Sequence, residues 1–304
     1  MKISTSFMFD RATERMSTTQ NKLTTTQAQM TTGKKILSPS AAPDQATAIL
    51  RLKGEVERQN GHIRTLDVAI RRFAAEETAL SASNDLLIRL KELGLQAANA
   101  TLAPDDRKVM AVEMKALRDQ LLSLGNSQDD SGNYLFAGTR VKTPAFAENG
   151  SGQVLYQGDQ TGIRIPVDVE RSVQLTRAGT DVYNRVVRDD GSPVDFFDAL
   201  DDMIHATEHS QSHGIQRGIA DLTQMHNTLT LSQAQNGSDQ QVLIAQKDVL
   251  EETQLRIKST LSDIEDLDYR EAITRMNLEI MGLEAAMGSF AKISGLSLFD
   301  YIRG

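Results

Sequence analysis

Five apolar side chains, Phe9, Met16, Leu23, Met30 and Leu37, recur at intervals of seven near the start of this chain. Almost everything between them is polar: 15 of the first 32 residues are Ser, Thr or Gln. A seven-residue repeat keeps one narrow apolar seam on one side of a helix, so residues 3–37 read as a helix that lies along another helix. Five side chains cannot offset the conformational entropy of ordering the whole segment. The segment is therefore expected to be disordered in an isolated chain and helical once partner helices cover the seam.

The other end supplies such a partner. Leu243, Leu250, Ile257 and Ile264 repeat at sevens, a register shift falls at residues 266–268, and Ile273, Met276, Ile280, Leu283, Met287 and Phe290 then alternate by three and four, with Leu298 and Phe299 beyond them. A thin seam at one end and a rich one at the other suit two chain ends that pair, with apolar surface left over for neighbouring copies.

Between the ends, Ser38-Pro39-Ser40-Ala41-Ala42-Pro43 breaks the helix. A fuller heptad run over residues 44–100 follows, with Ile49, Val56, Ile63 and Ile70 on one row and Leu52, Leu66, Phe73, Leu80 and Leu87 on the other. A short turn at residues 101–104 leads to a third helix carrying Met110, Met114, Leu117, Leu121 and Leu124, closed by Gly125 and Asn126. Over residues 132–193 the period falls to two, as in Val154 with Tyr156, Ile163-Ile165-Val167-Val169, and Val173 with Leu175. Helical spacing resumes at residues 194–209, 215–235 and from 240. The expected fold is mainly α: a long antiparallel coiled-coil rod formed by N- and C-terminal segments, with a small β-rich domain inserted in the middle. Its parts are terminal paired helices (1–43 plus 268–304), a helical rod (44–131 plus 194–267) and a β-rich outer domain (132–193).

Chemistry is scarce. A formal charge of -8 disfavours nucleic acid as a partner, and no apolar run reaches the roughly 20 residues of a membrane span. The opening residues also lack the apolar core of a secretory signal. With no cysteine there is no disulfide or thiol chemistry. Gly33-Lys34-Lys35 lacks the remaining parts of a phosphate loop, and Asp129-Asp130-Ser131-Gly132 lacks the acidic spacing of a calcium loop and reads as a solvated turn. His205, His209 and His213, four residues apart, would line one face of a helix in a zinc-compatible row. Gly214 ends that helix at His213, however, and no fourth ligand follows, so the row reads as a solvated helix end. No catalytic, cofactor or metal residue is assigned, and the chain is expected to be no enzyme.

Four segments carry a family resemblance: TGKKILSPS (32–40), LQAANATLAPDDR (95–107), SGNYLFAGTR (131–140) and the ending DLDYREAITRMNLEIMGLEAAMGSFAKISGLSLFDYI. In this order and spacing they resemble the flagellar hook-filament junction proteins, the third hook-associated proteins. Flagellin shares the paired ends, but Ile293-Ser294-Gly295-Leu296-Ser297-Leu298-Phe299-Asp300-Tyr301-Ile302 is unlike its usual Leu-Leu-Arg finish; a flagellin-like filament subunit is the alternative reading. The family often has an acidic pair after Ser-Pro-Ser, where this chain has Ala41-Ala42. The resemblance implies export through the flagellar type III apparatus with a dedicated chaperone, and assembly as a ring of copies. The first hook-associated protein would lie on the hook side and flagellin on the filament side.

Overall fold

The computed structural model describes the backbone of residues 2–167 and 171–302, and side chains for Phe7, residues 9–167 and residues 171–292. In chain order the elements are α1 (Lys2–Thr32), a 3-10 turn (Pro39–Ala41), α2 (Pro43–Ala97) and α3 (Pro104–Gly125). Then come β1 (Phe146–Glu148), β2 (Val154–Tyr156), β3 (Arg164–Pro166), β4 (Ser172–Gln174), α4 (Gly179–Val182), β5 (Val186–Val187) and β6 (Pro193–Val194). The chain finishes with α5 (Phe196–Glu208), α6 (Ser212–Glu265) and α7 (Tyr269–Ile302). The mainly helical class with small sheets in the middle is the one read from the sequence. Two compact units form, residues 1–60 with 251–304, and residues 61–250.

In the 61–250 unit, α2 and α6 run antiparallel, as the Asp67–Lys247 ion pair (2.8 Å) and the Asn84–Gln233 hydrogen bond (3.1 Å) show. Leu80, Leu87, Met114, Leu121, Leu200, Met203 and Leu229 fill the main core, and Leu66, Phe73 and Leu243 a smaller one. The strands make three separate antiparallel hairpins, β1-β2, β3-β4 and β5-β6. They have no core of their own: Phe146, Val154 and Tyr183 join the main helical core, and Val167 and Val173 join the smaller one. Tyr183 sits at the centre of an aromatic group with Phe136, Phe146, Phe196 and Phe197, and its hydroxyl shares a 2.9 Å hydrogen bond with Ser83.

Charged side chains fasten the hairpin segment to the helices. The buried Arg72 guanidinium on α2 pairs with Asp129 (2.8 Å) and donates to the carbonyls of Tyr134, Leu135 and Leu175 at 3.0–3.2 Å. Arg177 places Nε 2.9 Å from the buried Glu76 Oε1 and Nη2 2.8 Å from Asp239. Arg107 on α3 donates to the carbonyls of Ala97 and Asn99, closing the C-terminal end of α2.

Three sequence readings change. Residues 129–132 are not a free solvated turn, because Asp129 accepts from the Ser131 and Asn133 amides and holds Arg72. No break separates residues 235 and 240: α6 runs through Gly237, whose cost of about 1 kcal/mol a 54-residue helix packed over much of its length absorbs. The helix carrying His205 ends at Glu208 rather than His213; Ser210 takes the left-handed conformation (φ 55°) and His213 belongs to α6. The three histidines share no helical face. His205 and His209 stack at 4.1 Å, and no metal-holding group of three acidic, His or Cys residues occurs among the described residues.

Candidate assembly interface

In the unit built from the two chain ends, α1 and α7 lie antiparallel. The Phe9 and Phe290 rings meet at a 45° tilt with centroids 4.8 Å apart near one end, and Tyr269 Oη donates to the Met30 carbonyl at 3.1 Å near the other. Met16, Leu23 and Met30 are half-buried on α1, as are Met276, Ile280, Leu283 and Phe290 on α7. A second row completes the α1 seam at spacings of four and three: Ala12, Thr19, Thr26 and Gly33, of which Thr26 is 3% exposed. Hydrophobic periodicity overlooks this row because small and hydroxyl residues carry no apolar signal. Their size lets the helices approach closely: a β-carbon on Gly282 of α7 would lie 4.0 Å from Thr19 Cγ2.

The threonines also explain how so polar a segment is helical. Thr13, Thr18, Thr19, Thr24, Thr25, Thr31 and Thr32 each turn the hydroxyl back onto the carbonyl four residues earlier, at 2.8–3.0 Å, so the hydroxyls do not compete for backbone elsewhere.

Gly33 ends α1 in the left-handed region (φ 70°), where a side chain would be strained and its β-carbon would meet Tyr269 Oη at 3.3 Å. The chain then turns onto the joint between α6 and α7. Lys34 bridges to Asp266, the Leu267 amide donates to the Gly33 carbonyl (2.9 Å) and the Lys35 amide donates to the Glu265 carbonyl (2.8 Å). Glu265 receives Lys34 Nζ at 2.6 Å and Lys53 Nζ at 2.8 Å. Asp268 starts α7 by accepting from the Arg270 amide at 2.9 Å. Leu37 therefore lies past the helix and is exposed, outside the seam it was read into.

Hydrogen bonds from Lys34 and then Lys53 hold the Glu265 carboxyl below its ordinary value of 4.5. A carboxyl depressed on folding stabilises above its unfolded pKa, and that contribution is lost as pH falls through the lower folded value. Hydrogen exchange of residues 30–37 is therefore expected to accelerate as pH drops below about 4.5, beyond the intrinsic pH effect on exchange. Glu265→Gln should be less protected at neutral pH and should flatten this dependence; unchanged protection would show that the carboxylate does not hold the joint.

The far side of α7 is bare. Leu278 (61% exposed) and Met281 (56%) point away from the row that meets α1, and Ile273 (45%) and Met287 (47%) at its margin are also largely open. Large apolar side chains left open among the polar residues of that side suit a surface that a further helix covers. The side chains of Leu298 and Phe299 lie outside the described residues.

The model of the bacterial flagellin N-terminal helical region matches residues 3–141, and that of the flagellin C-terminal helical region matches residues 219–302. Flagellar hook-associated protein 3 of Escherichia coli K12 is 28% identical over 99% of each chain. Polar flagellin E of Vibrio parahaemolyticus is 38% identical, but over 26% of this chain and 23% of its own. In fold, the chain is similar to a putative flagellar hook-associated protein from Vibrio parahaemolyticus with a TM-score of 0.65 at 20% identity, covering 74% of this chain and all of that one. With flagellin helical regions at both ends and a hook-associated protein 3 alignment from end to end, the chain belongs to the flagellin-like superfamily, on its hook-associated protein 3 branch.

Proposed function

We propose that this chain is a non-catalytic mechanical adaptor at the hook-filament junction of the bacterial flagellum, assembled as a ring of copies through its terminal helices. The observation that carries the reading is the bare apolar side of α7, which a single chain covers on α1's side alone. Neighbouring copies enclose it, and residues 1–43 and 268–304 act as the assembly segments. The first hook-associated protein lies on the hook side and flagellin on the filament side; an end-to-end likeness to a hook-associated protein, against a quarter-length likeness to a flagellin, favours the junction over the filament itself. The thin α1 seam suits a segment that is unfolded during export through the flagellar type III channel, escorted by its chaperone, and ordered as copies bury one another's surfaces.

The test is complementation of a strain lacking the gene. Full-length chain should restore swimming, whereas chains without residues 1–33 or 288–304 should leave hooks without filaments. Swimming restored by either truncated chain would overturn the reading. Long homopolymers formed by the purified chain alone would favour the filament subunit instead.

A further inference from the structure

Among the described residues, six strand edges face away from their hairpin partners in the 61–250 unit, and four are closed or interrupted. On β1, Asn126 donates Nδ2 to the Phe146 carbonyl (2.8 Å) and accepts from its amide at Oδ1 (2.9 Å), so one side chain occupies the place of a neighbouring strand. Pro166 on β3 and Pro193 on β6 lie at outward positions of their ladders and offer no N–H, which leaves β3 an outward N–H and C=O at Arg164 alone. On β5, Gln224 Nε2 donates to the outward Val187 carbonyl at 3.0 Å.

Two edges are left. Register fixes the outward residues of β2: the Gln157 amide bonds to Ala145 and the Asn149 amide to the Gln153 carbonyl, which turns the N–H and C=O of Val154 and Tyr156 away from β1. Neither has a backbone partner among the described residues. A cavity of about 710 Å³ borders this edge, lined by four consecutive residues, 154–157, that span both faces of the strand. Its far wall includes Asp181, Arg185, Asp195 and Phe197. On β4 the outward residues are Ser172 and Gln174, and the sole contact to their backbone N–H or C=O among the described residues is Arg164 Nη2, 3.5 Å from the Ser172 carbonyl. Arg164 and Arg171 are exposed beside it.

We infer that the open edge of β2 in one copy receives the open edge of β4 from the next, an added-strand contact that links outer segments head to tail. With the other edges closed or interrupted by proline, one uninterrupted acceptor and one uninterrupted donor edge per chain remain, the condition for a heterologous contact that propagates around a ring. Charge agrees with this pairing: Asp181 in the acceptor groove, where Asp195 is already paired with Arg185 at 2.6 Å, meets Arg171 at the head of the incoming strand, with Arg164 of β3 beside it. The inference rests on the ring of copies proposed above.

The natural absence of cysteine makes the test direct. In an antiparallel pairing that sets Tyr156 opposite Ser172, Gln157 faces Arg171 at a spacing a disulfide can bridge. Full-length chains carrying Gln157→Cys and Arg171→Cys are expressed together in the deletion strain, and shed flagella are run without reductant. A mixed disulfide dimer is expected, absent when either cysteine chain is expressed alone. A ladder of multimers is expected when both cysteines lie on one chain. Leu155→Lys, a charge on the exposed face of the edge strand, should cut the mixed dimer at least about tenfold. Cysteine chains that restore filaments but give no mixed dimer would overturn the edge pairing and leave the junction reading standing. A disulfide from Gln157→Cys to a protein of another mass would overturn the assignment of a second copy as occupant. Filaments formed in the deletion strain without any chain would instead overturn the junction reading itself.

Discussion

Tyr183→Ala is expected to remove about 3–5 kcal/mol from the stability of the 61–250 unit. The ring is 3% exposed and packs edge-on or stacked against Phe136, Phe146, Phe196 and Phe197, so its loss leaves a void bordered by four other rings. Chemical denaturation followed by near-ultraviolet circular dichroism reads this group without interference from Trp, which the chain lacks. Tyr183→Phe separates packing from hydrogen bonding. It keeps the ring and deletes the bond to Ser83, whose hydroxyl still donates to the Ala79 carbonyl at 2.8 Å, so the loss should be about 1 kcal/mol or less. Equal losses for the two variants would show that the hydroxyl, not the ring, holds the hairpin segment to the helices.

The second large effect is expected from charging the α7 seam. Met276→Asp with Leu283→Asp places two carboxylates in the half-buried row that meets α1, where each costs on the order of 2 kcal/mol through lost apolar burial and desolvation. The 61–250 unit should be untouched, with its near-ultraviolet spectrum and denaturation midpoint unchanged. Cells carrying this chain should make hooks and secrete flagellin into the medium without retaining filaments. Met281→Asp, on the bare side of α7, makes the sharper comparison: the isolated chain should be as stable as before, yet filament attachment should fail. Normal swimming with Met281→Asp would mean that no neighbouring copy covers that side.

Both the helices and the paired ends were legible in the sequence because heptad spacing survives even where the apolar residues are few. Phe9, Met16, Leu23 and Met30 fell on the seam as read. Half of that seam was invisible, since Ala12, Thr19, Thr26 and Gly33 pack through small size and not through hydrophobicity. Ile273 and Met287 share the three-four pattern of Met276 and Ile280 yet are largely exposed, because that pattern does not say how much of each side chain the partner helix covers. Gly214 reads as a helix end, yet it follows a break that belongs to Ser210, whose left-handed conformation has no sequence signature of its own. The roles of Arg72, Arg107 and Arg177 as fasteners depend on carbonyls and carboxylates from distant segments, which no local pattern records.

The seam of α1 has a consequence for phase. Its large residues return every seven positions and its small residues fill the places between, so sliding α1 by one heptad along α7, about 10 Å, would present nearly the same surface. Little within the seam selects one phase over the next. Selection falls to the two ends: the Phe9–Phe290 pair at one, and at the other the turn at Gly33 with Lys34 bridged to Asp266 and Tyr269 bonded to Met30. The α1–α7 pair thus works like a ruler with evenly spaced marks and a fixed stop, in which the stop sets where the marks begin.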